Sequence, residues 1–299
     1  MNQVFSGSEE GIQNAEDLVA EMVRNFGAEE EAIMHLVDAG EHEESLAYHF
    51  LNVSVLALML GKEAGLEKQD MQSLGMGALL HDVGKLRIEK KILRKPGKLS
   101  RPELDLIQLH PPYGVELTSK LGQVPKEALR IIWQHHERFC GKGYPEGLVG
   151  KEIDRLARIT MIANIYDNLC NNLEPDKSVP PNQALTLMHT KYGQVMDMTL
   201  FNVFVRTLGI YPPGSLVLLS NQDIGMVITN NPSAPLKPLV LLYDPEIPKK
   251  EAIIINLAKD TDLAIICSFH PKELSKEVYH YLTPRKRVAY FMEQSSESD

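Results

Sequence analysis

The sequence predicts a mainly α-helical bundle built around a metal centre, followed by a small β-rich domain. Three observations carry this expectation. Apolar residues recur at helical spacing from Asn14 to Leu208. Metal-ligand side chains are distributed over about five of those helices, as in bundle-core metal centres: His49, His81, Asp82, His110, the pair His135-His136, and Asp167. At Gly209 the pattern changes to short β-type runs.

Composition limits the function classes. The chain has 299 residues, 43% of them hydrophobic, which is enough to bury a sizeable core. A formal charge of -9 argues against a protein that coats a nucleic acid polymer, because such binding neutralises phosphates with Lys and Arg. The three cysteines, Cys140, Cys170 and Cys267, are far apart and form no Cys-x-x-Cys pair, so neither a disulfide framework nor a structural zinc site is expected. A reducing cytoplasm fits this usage. The first ten residues carry Glu9 and Glu10 rather than a basic region before an apolar run, and no apolar stretch reaches roughly 18 residues. Neither secretion nor membrane spanning is expected.

Two short helices are predicted in 1–44, over Asn14 to Phe26 and Glu29 to Val37, leading into the bundle. A third spans Glu44 to Ala64 and contains His49. A fourth spans Met71 to Asp82, with Gly84 marking its end. Lys85 to Lys98 is a basic loop. Ser100-Arg-Pro-Glu103 has the form of a capping box, starting a helix that Pro111-Pro112 breaks near His110. Helices follow over Tyr113 to Leu121 and Lys126 to Glu137, the latter turning Trp133 toward the core. Arg138 to Gly150 is an irregular glycine-rich loop. Arg155 to Asn171 presents Asp167, and Asn182 to Tyr192 and Met196 to Leu208 form a closing pair. In 209–292, four β runs begin at Ser215, Gly225, Pro238 and Ala252, with a helix near Pro271 to Tyr281. Residues 293–299 read as a disordered tail.

The central motif is His81-Asp82-Val83-Gly84-Lys85. Around it stand His49, Leu93-x-Lys95-Pro96-Gly97-x-Leu99, His110-Pro111, His135-His136-Glu137, Gly141-x-Gly143-Tyr144-Pro145-x-Gly147-x-x-Gly150 and Asp167. Taken together, in this order and over residues 45 to 170, these elements resemble the HD-GYP subgroup of the HD-domain metal phosphohydrolases. That resemblance implies an HD-domain helical bundle over 45–208 and a cytoplasmic bacterial signalling role. It also implies hydrolysis of a cyclic dinucleotide, cyclic di-GMP to pGpG or GMP. The cofactors it implies are two divalent transition metals, iron first, with manganese, nickel or zinc as other occupants.

By the same resemblance His49, His81, Asp82 and Asp167 hold one metal, and His110, His135 and His136 the other, with Asp82 shared. Asp82 and Lys85 are the catalytic candidates. Lys85, Gly143, Tyr144 and Pro145 are the substrate-binding ones. Glu137, next to His136, is expected either to orient a ligand imidazole or to be a simple helix-end carboxylate.

The chain also departs from the family pattern. Ser45 replaces the Glu that lets some members take a third metal, so two are expected. Cys140 and Cys170 replace aspartates and are read as small buried residues. The Arg-x-x-Lys that grips the ligand's phosphates is absent, with Asp176 and Val179 at those positions, and Arg87, Arg94 or Lys95 are the candidates to compensate. A second function class therefore stays open: a catalytically weak sensor of the nucleotide, or a docking module for GGDEF-type partners through Gly143-Tyr144-Pro145. For the β-rich domain, packing or dimerisation is expected rather than chemistry.

Overall fold

A computed structural model of the chain describes residues 9–27, 33–38, 45–120, 124–172, 177–231, 234–260, 262–270, 273–282 and 288–293. His42, Glu44, Asp176, the start of the expected second helix at 29–32 and the 294–299 part of the tail lie outside them. The elements divide into two compact units. The first comprises 1–27, 53–164 and 192–201; the second comprises 28–52, 165–191 and 202–299.

In the first unit, α1 (Glu9–Gly27) buries Ile12, Ala15, Val19, Met22, Val23 and Phe26, the three- and four-residue spacing of one apolar face. That face packs on α3 (Lys68–Leu80), which α7 (Lys126–Gln134) also covers. The C-terminal part of α3 is surrounded: every residue from Ser73 to Leu80 is buried. A helix apolar on all sides is a core element, which explains why α3 shows so little amphipathic contrast. It follows α2 (Ser45–Glu63), whose turns from Val53 to Leu60 are likewise buried.

After α3 the chain forms a 3₁₀ turn, Val83–Arg87, then the short α4 (Lys90–Leu93) and α5 (Arg101–Ile107). The expected capping box is present, with the Ser100 amide donating to Glu103 Oε2 at 2.7 Å. Three boundaries differ from expectation. The fourth helix stops at Leu80, and Gly84 lies inside the 3₁₀ turn rather than ending the helix. Its role is close approach: a Cβ at Gly84 would stand 1.9 Å from the His110 carbonyl oxygen and 2.5 Å from the Gly114 nitrogen. The second difference is that Pro111-Pro112 starts a helix, α6 (His110–Ser119), because in a first turn the missing proline N–H would have had no partner anyway. The third is that α7 ends at Gln134, leaving His135 as its cap and Trp133 only half-buried.

α8 (Arg155–Cys170), α9 (Pro181–Tyr192) and α10 (Met198–Leu208) follow as expected. In the second unit, five antiparallel strands form one sheet in the order β5-β4-β3-β2-β6: β2 (Leu216–Leu219), β3 (Ile224–Thr229), β4 (Leu239–Leu242), β5 (Ile254–Asn256) and β6 (Ile265–Phe269). Val217, Leu219, Val227, Val240 and Leu242 cluster in one core, and Leu216 and Met226 pack with Leu282 of α11 (Lys276–Leu282) in another. The four expected β runs are all strands; β6 is additional in this sheet, and a further strand at Val288–Glu293 takes in Glu293, which the sequence placed in the tail.

The predicted second helix is instead a strand. β1 (Ile33–Asp38) pairs antiparallel with β7 (Val288–Glu293), Ile33 opposite Glu293 and Asp38 opposite Val288. A short apolar run fits either period, and the partner that decides it lies some 250 positions away. Among the described residues, no helix is long and apolar enough to cross a membrane.

Gly84→Ala should force the 3₁₀ turn away from α6 and destabilise the protein by about 2–3 kcal/mol. Urea unfolding measures this directly; an unchanged midpoint would contradict the close approach.

Candidate metal centre

Three histidines of the first unit are held by one repeated device. The Nδ1 atoms of His81, His110 and His135 lie 2.7, 2.7 and 2.9 Å from the carbonyl oxygens of Ala78, Ile107 and Ile132, each three residues earlier. Those carbonyls belong to the last turns of α3, α5 and α7, where intrahelical donors run out. A carbonyl only accepts, so each Nδ1 must carry the proton, and each Nε2 presents a lone pair.

Those lone pairs converge on Asp82. His110 Nε2 is 3.1 Å and His135 Nε2 3.5 Å from Asp82 Oδ1, and the two Nε2 atoms are 3.1 Å apart. His81 Nε2 lies 3.4 Å from Asp82 Oδ2. Acceptors gathered this closely repel unless a cation lies among them. Two ligand atoms each about 2.1 Å from one metal, at right angles, are about 3 Å apart, so the spacing fits a shared divalent ion. His136 joins Asp82, His110 and His135 in a set whose ligand atoms all lie within 4.8 Å of one another.

Electrostatics keep the donors in their ligating forms. Burial alone would push the Asp82 carboxyl up, but the Lys85 ammonium together with His81, His110 and His135 outweighs it and holds the carboxyl well below the usual carboxylate range. Lys85 Nζ bonds directly to Asp82 Oδ2. Burial pushes the His135 imidazole down to about 3, and burial with the neighbouring His135 lowers His136 strongly, so both are neutral at neutral pH.

The loop after His136 backs this cluster. The Tyr144 ring stacks on His136, centroids 4.7 Å apart and planes 18° from parallel, and burial keeps its phenol protonated. Gly143 permits the loop's path, since a Cβ there would stand 2.3 Å from the Arg138 nitrogen. Glu137 clamps the far side. Its buried carboxylate accepts the amides of Glu146, Gly147 and Leu148 at 2.7, 3.1 and 3.0 Å. It thus braces the Pro145 end of the loop, a role neither sequence expectation for Glu137 contained.

In the second unit, His49 Nδ1 stands 2.6 Å from Asp167 Oδ2. Asn52 and Asn171 donate to Asp167 Oδ1, both at 2.8 Å. Neither asparagine was singled out from sequence, although Asn52 follows His49 by three residues and Asn171 follows Asp167 by four, spacings that place side chains together on a helix.

Two candidates for phosphate contact are already engaged. Arg87 makes a two-point contact with Glu116, 2.5 and 3.1 Å, and Lys95 reaches both oxygens of Glu103 at 2.8 Å. Cys140 is exposed rather than buried, because its loop turns it outward, and Cys170 is half-buried, its thiol pushed up by burial.

A model of the HD domain family matches residues 16–200, and a model described as a KOW domain associated with HD domain matches 216–277. A cyclic di-GMP phosphodiesterase of Pseudomonas aeruginosa is 31% identical over 264 residues, covering 87% of this chain and 63% of that protein. The 3'3'-cGAMP-specific phosphodiesterase 3 of Vibrio cholerae is 32% identical over 177 residues, 59% of this chain and 38% of that protein. The chain thus spans less than two thirds of the length of these relatives. Among solved structures, an HDG"Y"P protein from Bdellovibrio bacteriovorus shares the fold with a TM-score of 0.53 at 22% identity, covering 68% of this chain and 66% of that one.

Two outcomes follow from this geometry. With His135 at about 3 when folded and near 6.5 when unfolded, the unfolded chain binds the proton first. Stability of the metal-free protein should therefore be full above about pH 6.5 and fall as pH drops toward 3; urea midpoints across that range test it, and a flat profile would refute it. Glu137→Ala strands three amide donors and should lower stability by about 3 kcal/mol while exposing 138–150 to limited proteolysis.

Proposed function

The chain belongs to the HD-domain family, and from that premise we propose that it is a metal-dependent phosphodiesterase acting on a cyclic dinucleotide. The observation that carries this reading is the convergence of histidine Nε2 lone pairs on a buried, ionised Asp82. We assign His49, His81, Asp82 and Asp167 to one metal and His110, His135 and His136 to a second, with Asp82 shared; iron is the proposed metal, with manganese, nickel or zinc able to replace it. When bound, such ions supply Lewis acidity toward water and the phosphoryl oxygens.

The chain's own groups do the rest. The Nδ1–H bonds to Ala78, Ile107 and Ile132 keep the three rings from rotating or changing tautomer. Lys85, 29% exposed, keeps Asp82 ionised and offers its remaining N–H groups to a non-bridging phosphate oxygen. Tyr144 holds His136 by its face while its protonated hydroxyl is a donor for substrate, with Gly143 and Pro145 shaping the same wall.

The relatives' names support cyclic di-GMP as substrate, with 3'3'-cGAMP as the competing one; the proposed product of cyclic di-GMP is pGpG or GMP. A cytoplasmic site of action accords with these nucleotides. One observation favours the second reading, a weakly active sensor or GGDEF-docking module. The absent Arg-x-x-Lys is not replaced by Arg87 or Lys95, both paired with carboxylates.

The deciding experiment uses protein purified without oxygen, its metal content measured before incubation with each cyclic dinucleotide and separation of products. Wild-type protein should carry about two metals per chain and hydrolyse one substrate, and replacement of His81 and Asp82 by alanine should abolish both. A metal-replete wild type that binds nucleotide without turnover would establish the sensor reading instead.

A further inference from the structure

The carboxylate of Asp167 is wholly buried, and its two oxygens are treated differently by their surroundings. Oδ2 faces the His49 ring at 2.6 Å. Oδ1 receives two amide donors, Asn52 Nδ2 and Asn171 Nδ2, each at 2.8 Å. Because an ionised carboxylate only accepts, both asparagines must turn their NH₂ groups toward it, so the chemistry itself fixes the orientation of each amide. Asn52 is on the helix that carries His49, and Asn171 immediately follows the helix that carries Asp167. The carboxylate is thereby braced from both elements at once.

We propose that Asn52 and Asn171 are positioning residues that restrict Asp167 to ligation through Oδ2 alone. Resting on the assignment of His49 and Asp167 as ligands, this adds what sets their coordination. A carboxylate can bind a metal through one oxygen or two. Two hydrogen bonds occupy the in-plane lone pairs of Oδ1, and two-oxygen chelation would have to break at least one of them in a buried site. One-oxygen ligation uses a single coordination position and leaves another for water or a phosphoryl oxygen. Neither asparagine touches the reacting atoms; both act through Asp167.

The test compares full-length wild type, Asn52→Ala, Asn171→Ala and Asp167→Ala, each stripped of metal and titrated with Mn²⁺ while free Mn²⁺ is followed by electron paramagnetic resonance. Circular dichroism of the metal-free forms reports folding, and half-buried Asn171 provides the second variant should Asn52→Ala not fold. Wild type should bind two ions and Asp167→Ala one. Each asparagine variant should keep one tight ion and bind the other about 10- to 100-fold more weakly, the usual effect of losing a partner behind a ligand. Infrared spectra of Mn²⁺-loaded protein with isotope-labelled aspartate should show a narrower splitting of the carboxylate stretches in the variants, the sign of two-oxygen binding. Two ions of wild-type affinity with unchanged splitting in both variants would overturn the proposal. Two ions in Asp167→Ala would instead remove the ligand assignment, and the proposal with it.

Discussion

The arrangement of this protein rests on a hydrogen bond made three times, from an imidazole Nδ1–H to the carbonyl three residues earlier at the end of a helix. Each bond satisfies a carbonyl that the helix itself leaves open and fixes which nitrogen carries the proton. The helices therefore act as holders whose ends aim lone pairs. Aiming alone would be insufficient without proximity. Burial of α3 on every side sets the position of His81 and Asp82, and the close packing allowed by Gly84 brings the start of α6, with His110, against them.

Much of this was legible in the sequence, and the legible part has a common physical character. Helices with a buried stripe, the capping box at Ser100 and the strands after Gly209 are local patterns whose cause lies within a few residues. The clustering of His110, His135 and His136 with Asp82 was foreshadowed because metal chemistry restricts candidate ligands to a few residue types. What escaped was non-local. β1 shows only a short apolar run, and its register is set by β7 at the other end of the chain. Gly84 reads as a helix stop until the atoms opposite it are known. Glu137, Asn52 and Asn171 are ordinary polar residues whose roles arise from what the fold brings to them, three amides in one case and one carboxylate in the other.

The histidine–aspartate cluster and the basic residues near it are held very differently. His81, Asp82, His110 and His135 are buried, and the three imidazoles are held by short bonds to carbonyls, whereas Arg87 and Lys95 are paired with Glu116 and Glu103 near solvent. Exposed pairs of this kind contribute little to stability and exchange partners readily. A phosphate approaching Arg87 or Lys95 would compete with those carboxylates, so any such contact is weaker and more salt-dependent than one made to an unopposed charge.

The pairing of β1 with β7 also governs the order in which the molecule can be completed during synthesis. The second unit gathers 28–52, 165–191 and 202–299, and β1 has no strand partner until residues 288–293 have been made. At roughly 5–20 residues per second, the ribosome needs on the order of 15–60 s to reach them. The first unit closes on sequence available by residue 201. The second unit is therefore the last to receive its full sequence, and a nascent chain carries an organised His110–His135 cluster before the β1–β7 pair can form.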